Sequence, residues 1–194
     1  TSLSKKLYDI YKKHPDQYDL LTFCKEIKDP LKFNETKEIF NLFYESISQE
    51  IMGSHFTTNS IQIYRNHFTQ SEKESSWLWH YDDNPEPQIK LFIYLSEVDS
   101  QSAPFTYVVD QQNNGRKIKS SRISPTKRGS QVYPASRIPQ GIIDGMMIKS
   151  YKERQITGKA GTAFVFDPNI IHRATVPNEG FFRDVLVYHL HPCI

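Results

Sequence analysis

His80, Asp82, His172 and Arg183 are the residues of this chain whose types and spacing best support chemistry. A histidine and a carboxylate two positions apart on a β-strand project from the same face. A second histidine from another strand would complete two imidazoles and one carboxylate on one side of a metal ion, with the opposite coordination positions left open. That arrangement is typical of non-haem Fe(II) oxygenases. The His80-x-Asp82 pattern alone is short and recurs by chance, so its surroundings have to support this interpretation.

The composition is that of a folded, strand-rich domain. The chain has 194 residues, is 38% hydrophobic and 13% aromatic, and carries a net charge of +2. This length suits one domain, residues 1–194, with a sizeable core. The small net charge gives no argument for nucleic-acid or membrane binding. Its two cysteines form neither a zinc-binding nor a cystine pattern, and no stretch approaches the length of a membrane span. We therefore expect a cytoplasmic protein without membrane or nucleic-acid partners.

Helical periodicity is confined to an N-terminal region, residues 1–55. Apolar residues at helical spacing predict amphipathic helices over 3–13 and 34–51. Asn34 suits the N-cap of the second helix, and Gly53 suits its end. We expect both helices to pack on the outside of a sheet.

After Gly53 the apolar period changes from 3.6 to 2, which predicts strands. The predicted strands are 60–67, 77–82, 89–95, 105–109, 162–166 and 184–190, so that 60–110 and 158–191 form a barrel. Breaks rich in proline and glycine between them favour hairpins over βαβ units. The expected fold class is α+β, mainly β: a barrel or jelly roll with N-terminal helices outside.

A basic insertion, residues 111–157, separates the two groups of strands. Its first segment, 111–143, contains no aspartate or glutamate. Its basic residues are Arg116, Lys117, Lys119, Arg122, Lys127, Arg128 and Arg137. Such an insertion is either a lid that closes over a site and recruits an anionic substrate, with Arg116, Lys117 and Lys119 in contact with it, or a solvated loop.

Several runs resemble the phytanoyl-CoA dioxygenase family. They are Trp79-His80-Tyr81-Asp82-Asp83, the segments 88–99 and 103–108, and later the segments 161–167, 171–174 and 182–183. Together they cover about 64–188 in the family's order. The resemblance implies a double-stranded β-helix, a cupin-like jelly roll, that carries an Fe(II)- and 2-oxoglutarate-dependent oxygenase. It assigns His80, Asp82 and His172 as iron ligands.

The resemblance also assigns residues around the iron. Arg183 matches the arginine that pairs with the distal carboxylate of 2-oxoglutarate, and a guanidinium fork suits a planar carboxylate. Further positions that match the cosubstrate pocket are Tyr64, Lys90 and Phe92; the alternatives are core packing for Phe92 and a solvated strand end for Lys90. Thr175 is the nearest hydroxyl residue after His172. Trp79 is a candidate wall of the substrate site, with core packing as the alternative.

The implied activity is oxidation of a small-molecule substrate with O₂, which releases succinate and CO₂. Asp82 favours hydroxylation over halogenation, because related halogenases carry a small residue in its place. The alternatives are a non-catalytic cupin-like protein and a metal enzyme that needs no cosubstrate, and the presence of Arg183 argues against both. His189 and His191 also have the spacing of metal ligands, but no carboxylate lies near them in sequence, so we interpret them as strand residues. Substrate identity and oligomeric state are not predicted.

Overall fold

A computed structural model gives the fold of the chain. It describes residues 18–20, 24–70, 75–84, 87–118 and 136–193, together with Ser2, Lys5, Asp9 and Lys13. These last four residues have helical backbone, and the rest of the predicted helix over 3–13 lies outside the described residues.

The described residues form nine strands and two α-helices. The strands are β1 (Tyr18–Leu20), β2 (Cys24–Ile27), β3 (Phe56–His67), β4 (Ile89–Tyr94), β5 (Phe105–Val109), β6 (Lys152–Ile156), β7 (Ala163–Phe166), β8 (His172–Arg173) and β9 (Phe182–Pro192). The helices are α1 (Asn34–Ser46), which continues as a π-helix over Ile47–Met52, and α2 (Gln140–Ile148); short 3₁₀ turns cover Pro30–Lys32 and Ser75–Trp77.

Two antiparallel sheets form a double-stranded β-helix, as predicted. The larger has the order β1-β2-β3-β9-β4-β7, and the smaller has the order β6-β5-β8. Aromatic side chains fill the space between them: the ring centroid of Phe105 on β5 lies 5.9 Å from that of Phe92 and 4.6 Å from that of Phe166. Side chains from both sheets therefore pack against one another in the interior between the sheets.

Strand β9 contributes side chains to both faces of the larger sheet. Alternate residues of a strand project to opposite faces, so Arg183 and Val187 line the interior cavity while Leu186 and Tyr188 belong to the outer hydrophobic cluster. Helix α1 covers this outer face, and the Tyr188 hydroxyl donates a hydrogen bond to the carbonyl oxygen of Thr36 on α1. The predicted outside position of this helix is confirmed.

The ends of α1 differ slightly from the prediction. Phe33, not Asn34, is the N-cap residue, and no side chain caps the helix. The hydroxyl of Thr36 instead donates to the Phe33 carbonyl at 2.7 Å. Gly53 ends the helical stretch as predicted, with a left-handed φ of 62° that favours glycine.

The predicted strand over 77–82 is wrong. Only His80 makes ladder bridges, to Arg137 and His172, and Trp77 belongs to a 3₁₀ turn. Beyond His80 the chain leaves the sheet, and a hydrogen bond to a loop holds it: the Asp82 amide donates to the carbonyl oxygen of Pro168 at 2.9 Å. Asp83 has a φ of 51°, which a continuing strand does not permit.

Two further regions contain elements that periodicity did not reveal. The N-terminal region, residues 1–55, was expected to be helical and also contains β1 and β2. The insertion 111–157 contains α2 and β6, and β6 pairs with β5 as a member of the smaller sheet. Residues 119–135, including Lys119, lie outside the described residues. None of the helices in the described ranges is long and apolar enough to cross a bilayer.

Candidate metal centre

His80 and His172 are placed side by side by their own backbones. The amide of His80 donates to the carbonyl oxygen of His172 at 2.9 Å, and the amide of His172 donates to that of His80 at 2.8 Å. Residues paired in this way have their side chains on the same face of a sheet. Their imidazole centroids are accordingly 4.2 Å apart, so the ladder itself brings two candidate metal ligands together.

Each imidazole is fixed by a carbonyl group two residues earlier in the chain. The Nδ1 atom of His80 lies 2.8 Å from the oxygen of Leu78, and that of His172 lies 2.8 Å from the oxygen of Ile170. A carbonyl oxygen only accepts hydrogen bonds, so each Nδ1 carries the proton and donates it. In the neutral rings both Nε2 atoms then present lone pairs, as metal ligation requires.

Asp82 completes the group. Its Oδ1 atom lies 3.6 Å from Nε2 of His80 and 3.9 Å from Nε2 of His172. Its Oδ2 atom accepts a hydrogen bond from Nζ of Lys90 at 2.5 Å. The two oxygens of one carboxylate therefore face different partners.

The protonation states suit a metal ion. Burial, helped by the charge of the neighbouring His172, lowers the pKa of His80 to about 3, and burial also lowers the pKa of His172. For Asp82, burial alone would raise the pKa, but Lys90 and the two imidazoles together hold it below its usual range. At neutral pH the group consists of two neutral imidazoles and one carboxylate, the deprotonated forms that bind metals.

The donor atoms lie close together, and the separations of Asp82 from the two imidazoles are short enough for one ion. Ligand atoms of His80, Asp82 and His172 all lie within 4.8 Å of one another. First-row divalent ions hold such nitrogen and oxygen donors at about 2.0–2.2 Å, so two donors of one ion are at most about 4.4 Å apart. Both separations between Asp82 and an imidazole are below that limit. Two histidines and one carboxylate with open positions are the donor set of non-haem Fe(II) sites.

Arg183 is a buried cation in the same cavity. Its side chain is 2% exposed, and its Nη1 atom donates to the carbonyl oxygen of Ala103 at 2.6 Å. Its Nε atom is buried and has no hydrogen-bond partner, and no carboxylate among the described residues pairs with it. A buried charge without a counter-ion is costly. The arginine is therefore a candidate for binding an anionic group in the cavity.

The cavity that joins Arg183 to the metal-binding group has a volume of about 140 Å³. Its apolar walls are Phe92, Phe105, Phe166, Ala174 and Val187, and its other lining residues are Glu26, Gln62, Tyr64, Ser76, His80, Asp82, Lys90, His172 and Arg183. A cavity of about 150 Å³ accepts a molecule the size of benzene. This space therefore takes one small molecule between the metal position and the arginine.

Not all residues predicted for the site meet there. Tyr64, Lys90 and Phe92 line the cavity. Thr175 does not: Ala174 occupies the wall, and the Thr175 carbonyl accepts a hydrogen bond from Asn66. Trp79 is buried in a separate cluster and lies under the guanidinium of Arg173, 4.2 Å from its ring centroid.

Two basic residues of the insertion, Arg116 and Lys117, lie apart from the cavity. Arg116 is exposed, with its guanidinium 5.9 Å from the ring of Tyr151. The ammonium of Lys117 is 2.6 Å from the carboxylate of Asp167. Neither residue is among those that line the cavity.

Sequence reasoning missed three polar residues of the cavity wall, Glu26, Gln62 and Ser76. Gln62 shares a strand face with Tyr64, two positions further on, so the alternation of β3 contained the signal. Glu26 lies on β2, a four-residue strand without apolar alternation, and nothing in the sequence marks it. The other two candidate ligands, His189 and His191, contact Gln62 and Gln88 at 3.3 and 3.0 Å.

Comparison with known proteins identifies the fold. No protein-family model matches the chain, and no curated protein matches it in sequence. EctD from S. alaskensis, solved with bound Fe, matches with a TM-score of 0.66 at 12% identity, over 98% of this chain and 66% of EctD. SnoN, a non-heme alpha-ketoglutarate-dependent epimerase from nogalamycin biosynthesis, matches with a TM-score of 0.66 at 10% identity, over 98% of this chain and 72% of SnoN.

A second protein from nogalamycin biosynthesis is similar as well. SnoK, a non-heme alpha-ketoglutarate-dependent carbocyclase, has a TM-score of 0.66 at 12% identity, over 97% of this chain and 73% of SnoK. The chain thus spans about two thirds to three quarters of the length of these three neighbours. At such low identity the likeness concerns the fold: this chain has a double-stranded β-helix, the fold that it shares with these three proteins.

Proposed function

We propose that this chain is a non-haem Fe(II)- and 2-oxoglutarate-dependent oxygenase that hydroxylates a small polar molecule. One observation carries the proposal: a deprotonated group of two histidines and one carboxylate shares a small cavity with Arg183, a buried cation without a carboxylate partner among the described residues. Structural neighbours support it, since EctD was solved with bound Fe and also with 2-oxoglutarate and 5-hydroxyectoine.

Each component of the site has a role in this scheme. Nε2 of His80, Nε2 of His172 and Oδ1 of Asp82 would hold the iron, and the guanidinium of Arg183 would pair with the distal carboxylate of 2-oxoglutarate. Phe92 and Val187 line the space between them and exclude water from it. Iron and 2-oxoglutarate with O₂ supply the oxidant: one oxygen atom enters a substrate C–H bond as hydroxyl and the other enters succinate, with loss of CO₂.

The cavity walls support a polar substrate. Gln62 donates to the carboxylate of Glu26 at 3.2 Å, and its amide oxygen lies 3.3 Å from Nε2 of His189. In the register of the sheet His189 is paired with Lys90, next to the metal-binding group. A polar band thus crosses β2, β3, β9 and β4 on the cavity side. An acyl chain laid against this band would cover polar groups with apolar surface, whereas hydroxyl or amino groups could form additional hydrogen bonds with them.

Finer assignments follow from residues that this sequence shares with known patterns. The order of motifs from Trp79 to Arg183 supports a place near the phytanoyl-CoA dioxygenase family. Asp82 supports hydroxylation rather than halogenation, although neighbours include an epimerase and a carbocyclase, so the reaction type needs a direct product assay. A cytoplasmic location agrees with the free, exposed thiol of Cys193. Recruitment of an anionic substrate by Arg116, Lys117 and Lys119 is a separate proposal.

Anaerobic spectroscopy followed by a product screen tests the function. Addition of Fe(II) and 2-oxoglutarate to the protein without O₂ should give a weak visible charge-transfer band, and Asp82→Ala should not give it. A metabolite screen for substrate-stimulated succinate release, read by mass spectrometry, should then find a product with one added oxygen. A folded wild-type protein that gives no band and binds no 2-oxoglutarate would refute the proposal.

A further inference from the structure

Lys90 is placed to control the geometry of the candidate metal ligand Asp82. It lies on the inner face of β4, and its ammonium contacts Oδ2 of Asp82 while Oδ1 faces the two imidazoles. The side chains of Lys90 and Asp82 are 15% and 19% exposed, so the pair is largely withdrawn from water. The lysine and the metal position therefore use different oxygens of one carboxylate.

Asp82 has little else to fix its side chain. It lies outside any strand, and its backbone is held by one hydrogen bond to Pro168. Among the residues that the structure describes, Lys90 is the one hydrogen-bond donor that reaches its carboxylate. Rotation of a carboxylate about χ2 is soft and close to two-fold. Without Lys90 the group would be able to turn and present both oxygens to an ion.

We propose that Lys90 is a positioning residue that holds Oδ2 of Asp82, so that Asp82 binds the metal through Oδ1 alone. This inference rests on the proposed function and deepens it, since it concerns the same metal site. Single-oxygen ligation matters because two-oxygen ligation by Asp82 would fill a position that the cosubstrate or O₂ needs. Hydrogen bonds to ligating carboxylates are known to fix ligand orientation, and their loss typically weakens metal binding by about 10–100-fold.

The charge of Lys90 should act on metal binding in the opposite direction, so the sign of the change in affinity tests the inference. A lysine ammonium close to a divalent cation repels it, so charge alone predicts that removal of Lys90 tightens metal binding. Orientation predicts that removal weakens binding. We expect orientation to dominate, because the ammonium contacts the oxygen that does not face the imidazoles.

The experiment uses Co(II), whose visible absorption reports on ligand number and geometry and which does not need O₂. Calorimetric titration would compare wild type with Lys90→Met, which keeps the apolar stem, Lys90→Gln, which keeps an uncharged donor, and Lys90→Arg, which keeps a charged donor. Lys159→Met, at an exposed position, is the matched control. Circular dichroism would confirm that each variant folds, and Lys90→Leu, which also removes the donor, replaces Lys90→Met if that variant does not fold.

We expect Lys90→Met to bind Co(II) about 10–100-fold more weakly than wild type, with an altered spectrum. Lys90→Gln and Lys90→Arg should recover some of the affinity, and Lys159→Met should equal wild type. If Lys90→Met, or Lys90→Leu where the methionine variant is unfolded, binds Co(II) as tightly as or more tightly than wild type, the positioning role is refuted while the metal site stands. If wild type and Asp82→Ala bind Co(II) equally, the metal site itself is refuted, and the role of Lys90 with it.

Discussion

Replacement of Arg183 by methionine should separate stability from ligand binding. In the free protein, the substitution removes one charge-assisted hydrogen bond to Ala103, worth about 1.5–3 kcal/mol. It also removes the buried Nε atom that lacks a partner, which costs the wild type about 1–3 kcal/mol. These two contributions to the free energy of unfolding nearly cancel. The variant also no longer buries a charge without a counter-ion, which stabilises it relative to wild type.

We therefore expect the free energy of unfolding of Arg183→Met to be unchanged or raised by up to about 2 kcal/mol. For a domain of this size, each kcal/mol shifts Tm by about 2–4 °C, so Tm should rise by up to about 8 °C. Arg65→Met is the matched control, because Arg65 makes two hydrogen bonds of 2.7 and 2.8 Å to the buried Asp184. Breaking that pair should cost about 3–5 kcal/mol and lower Tm by about 6–20 °C.

The ligand response should change in the opposite direction. With Mn(II) bound, 2-oxoglutarate at about 100 times its Kd should stabilise the wild type by about 2.7 kcal/mol, a rise in Tm of about 5–11 °C. Scanning calorimetry with and without 2-oxoglutarate should show this rise for wild type and not for Arg183→Met. The reasoning is wrong if Arg183→Met loses as much stability as Arg65→Met, or if it keeps the full response to 2-oxoglutarate.

Three other predictions concern the same cavity. Asp82→Ala should abolish Co(II) binding and succinate formation, with the exposed Asp99→Ala as control; unchanged turnover would mean that Asp82 is not a ligand. Unfolded histidines take up protons near pH 6.5, whereas burial and His172 hold the pKa of His80 near 3, so stability should fall as pH drops below about 6.5, by about 1.4 kcal/mol per pH unit. Urea unfolding at pH 7 and pH 5 would measure this loss of stability. If His80→Asn lost as much stability as wild type, the loss would not come from protonation of His80. Gln62→Leu should raise KM for the natural substrate about tenfold through one lost hydrogen bond, while Gln155→Leu, on the exposed strand β6, should leave KM unchanged.

Alternation of apolar residues predicted the long strands well, because burial on one or both faces leaves a mark in the sequence. Strands β3, β4, β5, β7 and β9 begin and end within a few residues of their predicted bounds. Strand β6 has no such mark: four of its five residues are exposed, and its identity as a strand comes from pairing with β5. Strand β2 is likewise short and defined by its partner β3.

The candidate site was predictable where side-chain type sets the chemistry. Two histidines, one aspartate and one arginine could be named from their spacing and from the resemblance, and the structure brings them into one cavity. The predicted strand through His80 and Asp82 is wrong, yet both side chains still converge. Backbone pairing with His172 places His80, and the hydrogen bond to the Pro168 carbonyl oxygen places Asp82. The contact of Lys90 with Asp82 and the place of Glu26 in the wall depend on how the strands fold together, which no local pattern records.

The hydrogen bonds that orient the two imidazoles have a consequence for mutational tolerance. Their acceptors are main-chain oxygens of Leu78 and Ile170, so almost any residue at these two positions supplies the same acceptor. Metal sites oriented by a second carboxylate side chain lose that support when one codon changes. Here the backbone path fixes the tautomer of each ligand. Position 78, where Leu78 is exposed, can therefore change, for example towards a more soluble side chain, without loss of the hydrogen bond to His80.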